Sequence, residues 1–133
     1  MKKEDGRVLS FGHALETAAG PETLSHGEAV AWGMVRASEL GLVLGITPKD
    51  RAMLIIEILT AYGYETKAPH PLAKSEDLLS AMRSDKKQSK KQLKFIVPAS
   101  QSAQIVSGQD NPALKGKIGE DLICKVINGE FSQ

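Results

Sequence analysis

The sequence predicts a mainly α fold, a multi-helical bundle with a small two-stranded β ribbon, formed as one domain over residues 1–133. Three observations carry that expectation. Apolar residues recur at helical spacing from Leu9 to Met82 and again from Ile118 to Ile127. Capping residues and glycine or proline breakers stand at the ends of these runs. Alternation of period two is confined to the stretch between Leu93 and Val106, enough for a ribbon and too little for a larger sheet.

Leu9, Phe11, Ala14, Leu15, Ala18 and Ala19 suit a short first helix, broken at Gly20-Pro21. Ser25, with Glu28 three residues on, is a capping-box pattern that puts His26 at the first position of a second helix. From Ala29 to Leu44 that helix is apolar around most of its circumference, the pattern of a buried helix on which the others pack. Gly45 ends it. Thr47 is expected to cap the third helix, with Pro48 where a missing N–H costs nothing and Asp50 in the first turn. Met53, Leu54, Ile56, Ile58, Leu59 and Tyr62 give this helix a wide apolar stripe, and Gly63 is its stop. Tyr64 to Leu72, which holds two prolines and His70, reads as a loop. Ser75 caps a fourth helix that runs through Met82 into Arg83-Ser-Asp85-Lys86-Lys87. Leu93, Phe95 and Val97 then alternate with Lys94 and Ile96, and Ala103 to Ser107 supplies the second strand of the ribbon. Ile118, Leu122, Ile123, Val126 and Ile127 build a last helix, stopped by Asn128-Gly129. No repeat and no low-complexity tract interrupts this order.

A chain of 133 residues can bury a core without staples. Its 17 basic side chains nearly balance 16 acidic ones, for a net charge of +1, so whole-chain charge calls for neither nucleic acid nor an anionic membrane. There is no run of eighteen apolar residues and no charged-then-apolar leader. Cys124 is the single cysteine and cannot form an internal disulfide. Together these predict a soluble protein in a reducing, cytoplasmic setting. The charged first residues, Met1 to Gly6, read as a solvated start.

Two groups of residues could carry chemistry. His13 and Glu16 share one helix face, and His26 and Glu28 open the next helix. A tight reversal between the helices would let both histidines reach one metal ion, but catalytic zinc takes three protein ligands, and Glu16 and Glu28 are equally explained as helix-face and capping residues. Metal binding and ordinary surface histidines therefore both stand at this point. The second group is the run from Asp85 to Lys94, with five lysines in the nine residues from Lys86. Lysines usually form a solvated face; the functional alternative is recognition of a phosphate or carboxylate by point charge. Without arginine or interleaved aromatics, nucleic acid is a poor fit. His70 is given no role.

The strings Gly12-His13-Ala-Leu-Glu16, Leu24-Ser-His26-Gly-Glu-Ala-Val-Ala-Trp-Gly-Met34, Asp85-Lys86-Lys87 and Leu93-Lys-Phe-Ile-Val97 resemble, in order, the C-terminal domain of 3-dehydroquinate synthase and its sugar-phosphate cyclase relatives. The His-Gly-Glu-Ala-Val-Ala-x-Gly-Met string is the specific part, and the likeness runs over roughly residues 6 to 108. It implies the helical, metal-bearing half of a two-domain enzyme whose N-terminal half is a Rossmann-like, NAD-binding domain, expected here to be absent. Such an enzyme turns the sugar-acid phosphate DAHP into 3-dehydroquinate in the shikimate pathway, with NAD and a divalent metal, zinc or cobalt. The steps are oxidation by NAD, phosphate elimination, re-reduction, ring opening and aldol closure. By the resemblance, His26 is a metal ligand and Lys86 or Lys87 meets the substrate. The chain has no glycine loop to cradle a dinucleotide, so NAD is not expected to bind it alone. A homodimer is compatible with this reading.

The departures are specific. The family's first motif runs Arg-x-x-Leu-Asn-x-Gly-His-Thr-x-Gly-His-Ala-x-Glu, with one histidine on the metal and the second on the substrate. Here Arg7-Val-Leu9-Ser10-Phe-Gly-His13-Ala-Leu-Glu16 is four residues shorter, about one helical turn. His13 matches the second histidine by the residues C-terminal to it and the first by the residues N-terminal to it, so it stands as a candidate for either the metal or the catalytic role. Ser10 replaces the family's asparagine, Arg7 is displaced by one position, and the family's third ligand, a glutamate, lies upstream of Met1. Two readings are left open: the metal and substrate part of a synthase, inactive alone, or a non-catalytic helical domain that lost the site and acts, if at all, by binding.

Overall fold

A computed structural model describes residues 8–20, 22–89 and 93–131, with side chains described up to Lys86 in α4. The charged start, Arg7, Pro21, the Lys87 side chain and Lys90-Lys91 lie outside the described residues. The order is α1 (Phe11–Ala19), α2 (His26–Val43), α3 (Lys49–Ala61), α4 (Ser75–Ser89), β1 (Lys94–Pro98), β2 (Ala103–Ser107), a 3-10 turn (Pro112–Leu114) and α5 (Glu120–Ile127). The expected helical bundle with one ribbon is the fold found. Strands β1 and β2 pair antiparallel, with Ile96 opposite Ile105.

Helix α2 is the centre, touching α1, α3, β1 and α5. Its N-terminus is fixed as the capping box requires: Glu28 N–H donates to Ser25 Oγ at 3.1 Å, and Ser25 N–H donates to Glu28 Oε1 at 2.7 Å. Ser10 caps α1 by accepting from His13 N–H at 3.1 Å. The two helices cross with almost nothing between them. A Cβ placed on Gly33 would sit 2.7 Å from Gly12 N, and one on Gly12 would sit 2.8 Å from Ala29 O, so glycine at both positions is what lets the backbones touch. Around that crossing Leu15, Trp32, Leu40, Leu78 and Met82 form the core with Val97, Val106, Ile123, Val126 and Ile127. Phe11 stacks on Phe95 at 5.0 Å between centroids, tying α1 to the ribbon.

Several local expectations are revised. Helix α2 is the buried central helix expected, but it also buries the polar Arg36, Ser38 and Glu39, while the apolar Val30, Met34 and Val43 are exposed. The apolar stripe of α3 is mostly uncovered. Only Ala52 of that helix is buried, and Met53, Leu54, Ile58 and Tyr62 face solvent, because α3 leans on α2 alone among the larger contacts. Thr47 does not cap α3. Its hydroxyl donates instead to Pro98 O at 2.6 Å, a bond that pins the α2–α3 turn to the end of β1, and Pro48 takes the cap position without a side-chain bond. Ser75 lies inside α4, and its hydroxyl pairs with the Asn128 side chain. Helix α5 begins at Glu120, with Ile118 ahead of it and packed on the core.

The loop after α3 is held by buried polar groups. Arg36 Nη1 donates to Glu39 Oε1 at 2.7 Å and to Val126 O at 3.0 Å, and Nη2 donates to Thr66 O at 3.0 Å. Burial pulls the Arg36 pKa below its ordinary value, and Glu39 opposes that shift. Trp32 Nε1–H donates to Lys67 O at 2.7 Å, and the His70 ring meets the Trp32 ring edge-on. His70 Nδ1 accepts from Leu72 N–H at 3.0 Å. A single arginine on α2 thus joins the loop to α5.

Candidate functional site

Because α1 and α2 meet at Gly12 and Gly33, the C-terminal turn of α1 comes beside the N-terminal turn of α2. His13, Glu16, Thr17, Leu24, Ser25 and His26 line an open depression of about 560 Å³ there. His26 Nδ1 lies 3.0 Å from Glu16 Oε2. An ionised carboxylate only accepts, so Nδ1 is the donor in this pair, and in the neutral ring Nε2 keeps the lone pair. The His13 ring points towards α4, with Nε2 3.9 Å from Asp85 Oδ2. Both rings are open to solvent, His26 at 79% and His13 at 63% side-chain exposure, so a ligand can reach either.

The arrangement of His26 suits a metal ligand. Ligating imidazoles generally donate their second N–H to a carboxylate, which fixes the tautomer and raises the basicity of the ligating nitrogen, and Glu16 does this for His26. Glu16 is thereby engaged as the orienting group. His26 and His13 are one ligand short of the three that zinc takes, and among the described residues no three histidine, cysteine or acidic side chains converge on one point. Lys86 is not part of the depression. It lines a small cleft on the other side of α4 with Leu79, Met82, Arg83, Leu93 and Glu120, so of the Asp85-Lys86 pair it is the aspartate that faces His13. Asp85 was visible in the sequence as part of a motif but carried no assigned role; its helix position, one step from Lys86, decides which side of α4 it takes.

The family model for the C-terminal region of 3-dehydroquinate synthase matches residues 10–88, more than half of the chain. The chain belongs to the 3-dehydroquinate synthase family. Its curated relatives include the 3-dehydroquinate synthase of Xylella fastidiosa strain M12, 43% identical over 93 residues that cover 66% of this chain and 25% of that enzyme. The 3-dehydroquinate synthase of Rippkaea orientalis is 32% identical over 114 residues, covering 81% of this chain and 31% of the enzyme. The chain therefore spans about a quarter to a third of the length of these synthases. A solved structure, the 2-epi-5-epi-valiolone synthase ValA of Streptomyces hygroscopicus with NAD+ and Zn2+ bound, superposes with a TM-score of 0.66. That match covers 87% of this chain and 30% of the other at 21% identity, and it shows a shared fold. No helix among the described residues is long and apolar enough to cross a membrane.

The synthase family's histidine string is thus found at the start of the central helix, with its ring oriented. Reading the sequence missed the Arg36 network and the Glu16–His26 bond. Arg36 and Glu39, three apart in an otherwise apolar helix, were the available signal for the first. The second depends on how closely α1 and α2 cross, and only glycines at that crossing hint at it.

Proposed function

We propose that this chain is the metal- and substrate-binding part of a 3-dehydroquinate synthase, acting on DAHP with phosphate elimination only when joined by the NAD-binding part of such an enzyme. The observation that carries the reading is His26, held by Glu16 at 3.0 Å with its other nitrogen free, at the head of the family's histidine string. His26 and His13 would hold a divalent ion, zinc or cobalt, together with a ligand from upstream of the matched region. Such an ion polarises oxygens of the substrate and lowers the cost of their negative charge. This chain's own residues orient and move protons. Glu16 keeps His26 in one tautomer. His13, exposed on the rim of the same depression and 3.9 Å from Asp85, can pass a proton to or from a bound hydroxyl or serve as second ligand. Lys86 lines the separate cleft beyond α4, so of the two lysines that the resemblance assigns to the substrate, Lys87 is the one left to meet its anionic groups. NAD belongs to the upstream part, because the hydride acceptor must lie in near contact with the carbon being oxidised.

The test is phosphate release from DAHP with zinc and NAD, measured for this chain alone and for a chimaera in which it replaces the matching segment of the Xylella fastidiosa synthase. We expect no turnover and no NAD binding by the chain alone, weak zinc binding that His26→Ala removes, and turnover by the chimaera that His26→Ala abolishes. Turnover by the isolated chain, or a chimaera indifferent to His26→Ala, would overturn the reading. A folded chimaera that releases no phosphate would mark a domain of this fold that has lost its chemistry.

A further inference from the structure

His70 stands between two prolines, and Pro71 has no N–H, so the first backbone donor after the ring is that of Leu72. Leu72 N–H donates to His70 Nδ1 at 3.0 Å, and Ala73 N–H closes the same turn on His70 O at 3.3 Å. A ring nitrogen that accepts carries no proton, so the neutral imidazole holds its proton on Nε2. The residue is 6% exposed, and its ring stands edge-on to Trp32 with 5.7 Å between centroids. Trp32 also holds the loop by donating to Lys67 O. The turn is thus closed by one histidine lone pair and rests on one indole. It leads straight into α4, whose first bonds run from Asp77 and Leu78 N–H to Lys74 O, and α4 is the helix that presents Asp85 to His13.

We propose that the turn from His70 to Ala73 is an acid-released strap: a proton on His70 Nδ1 expels Leu72 N–H, frees the turn from Trp32 and loosens the lead into α4, while the helical core stays folded. The cause is local. A protonated imidazole donates from both nitrogens, so Nδ1–H and Leu72 N–H would face each other at bonding distance with no acceptor between them. Either the proton stays out or the turn opens and returns the ring to water, where its charge is hydrated. Room for opening exists, because the ring lies between two depressions of about 600 Å³ and 510 Å³. Among the described residues, the charged groups bordering these depressions are Glu28 from α2, Glu65 and Lys67 from the loop, Lys74 ahead of α4, and Glu76 and Asp77 in its first turn. Burial outweighs the pull of Glu65 and Glu28 on the ring and holds the His70 pKa below its ordinary value. The closed turn therefore excludes the proton and the open turn admits it. Closure is complete above about pH 6.5 and weakens as pH falls towards the folded pKa. Such an opening is a sub-global event, distinct from unfolding of the core.

Amide hydrogen exchange of the whole chain, followed by NMR and scaled to the intrinsic rate at each pH, tests this. Trp32, the chain's single tryptophan, is an optical reporter of the same turn. Between about pH 7.5 and 5, protection of Leu72 and Ala73 should fall about threefold or more, and Trp32 emission should change in step. Protection of Leu40 in α2 and Val126 in α5 should hold over the same range. In His70→Asn, which takes up no proton there, Leu72 protection should be independent of pH. Constant Leu72 protection in the parent would overturn the strap. Equal loss at Leu72, Leu40 and Val126 would also overturn it, since the domain would then be unfolding as a whole. Should His70→Asn fail to fold, His13→Gln combined with His26→Gln removes the other two histidines, both of them exposed. Persistence of the Leu72 transition in that variant would assign it to His70, and its disappearance would overturn the proposal.

Discussion

Gly33→Ala is the sharpest probe of how this fold makes its site. A Cβ there would lie 2.7 Å from Gly12 N and 3.0 Å from Gly12 Cα, both backbone atoms that cannot rotate away. Ordinary carbon contacts sit at about 3.5–4.0 Å, so α1 and α2 must part by roughly 0.7 Å. Overpacking of this kind costs about 1–3 kcal/mol, whereas alanine gains about 1 kcal/mol over glycine in a helix interior. The net expectation is a loss of about 0–2 kcal/mol against the parent, a fall in Tm of up to roughly 8 °C, and a loss of about 1–3 kcal/mol against an alanine that meets no clash. Gly27→Ala is the control on the same helix, because its nearest atom would be Ser25 Oγ at 3.9 Å and only the propensity gain remains. Urea unfolding of the two variants and the parent gives the comparison. Parting the helices also lengthens the bond between Glu16 and His26, which nitrogen NMR reads as loss of the single Nδ1–H tautomer. A Gly33→Ala protein as stable as Gly27→Ala, or more so, would refute the close crossing.

Arg36→Met should cost about 3–5 kcal/mol by removing the buried guanidinium that neutralises the Glu39 carboxylate, and Arg36→Met combined with Glu39→Leu should cost less, both read by urea unfolding. On α3, Ile58→Lys should change stability by less than about 0.5 kcal/mol, whereas Leu40→Ala in the core should cost about 2–5 kcal/mol; a large loss at Ile58 would mean the stripe is covered. His70 gives a pH dependence. Burial holds its pKa below the usual value, against smaller opposing effects of Glu65 and Glu28, so the unfolded chain takes up the proton first as pH falls. Its contribution is complete above about pH 6.5 and is lost as pH drops from there towards the folded pKa. His70→Asn, which keeps an acceptor for Leu72 N–H, should flatten stability between pH 7 and 5 relative to the parent; an unchanged slope would count against the buried neutral ring.

Local patterns were sufficient for the elements. Ser25 and Glu28 specify the start of α2 by bonds that reach only three residues, Gly63 and Gly129 end α3 and α5 with positive φ, and the alternation from Leu93 to Val97 defines one strand and its inward face. The family strings around His13 and His26 were legible for the same reason, since motif residues are read in order along the chain. The partner that each face packs against is a different kind of information. Thr47 looked like a cap because a threonine before Pro-x-Asp has the right local chemistry, yet Pro98, 51 residues away, offered its hydroxyl a stronger use. The stripe on α3 looked like core because periodicity reports a face and cannot report whether anything covers it. Arg36 was hidden in a helix read as apolar, and its partners Val126 and Thr66 lie 90 and 30 residues away. Sequence therefore determined the helices, the ribbon, the family and the histidines by themselves. Tertiary structure alone decided that Glu16 orients His26, that Asp85 rather than Lys86 turns towards His13, and that Val30 and Met34 beyond His26 are left exposed, because each depends on how far apart two helices stand and which side of them is filled.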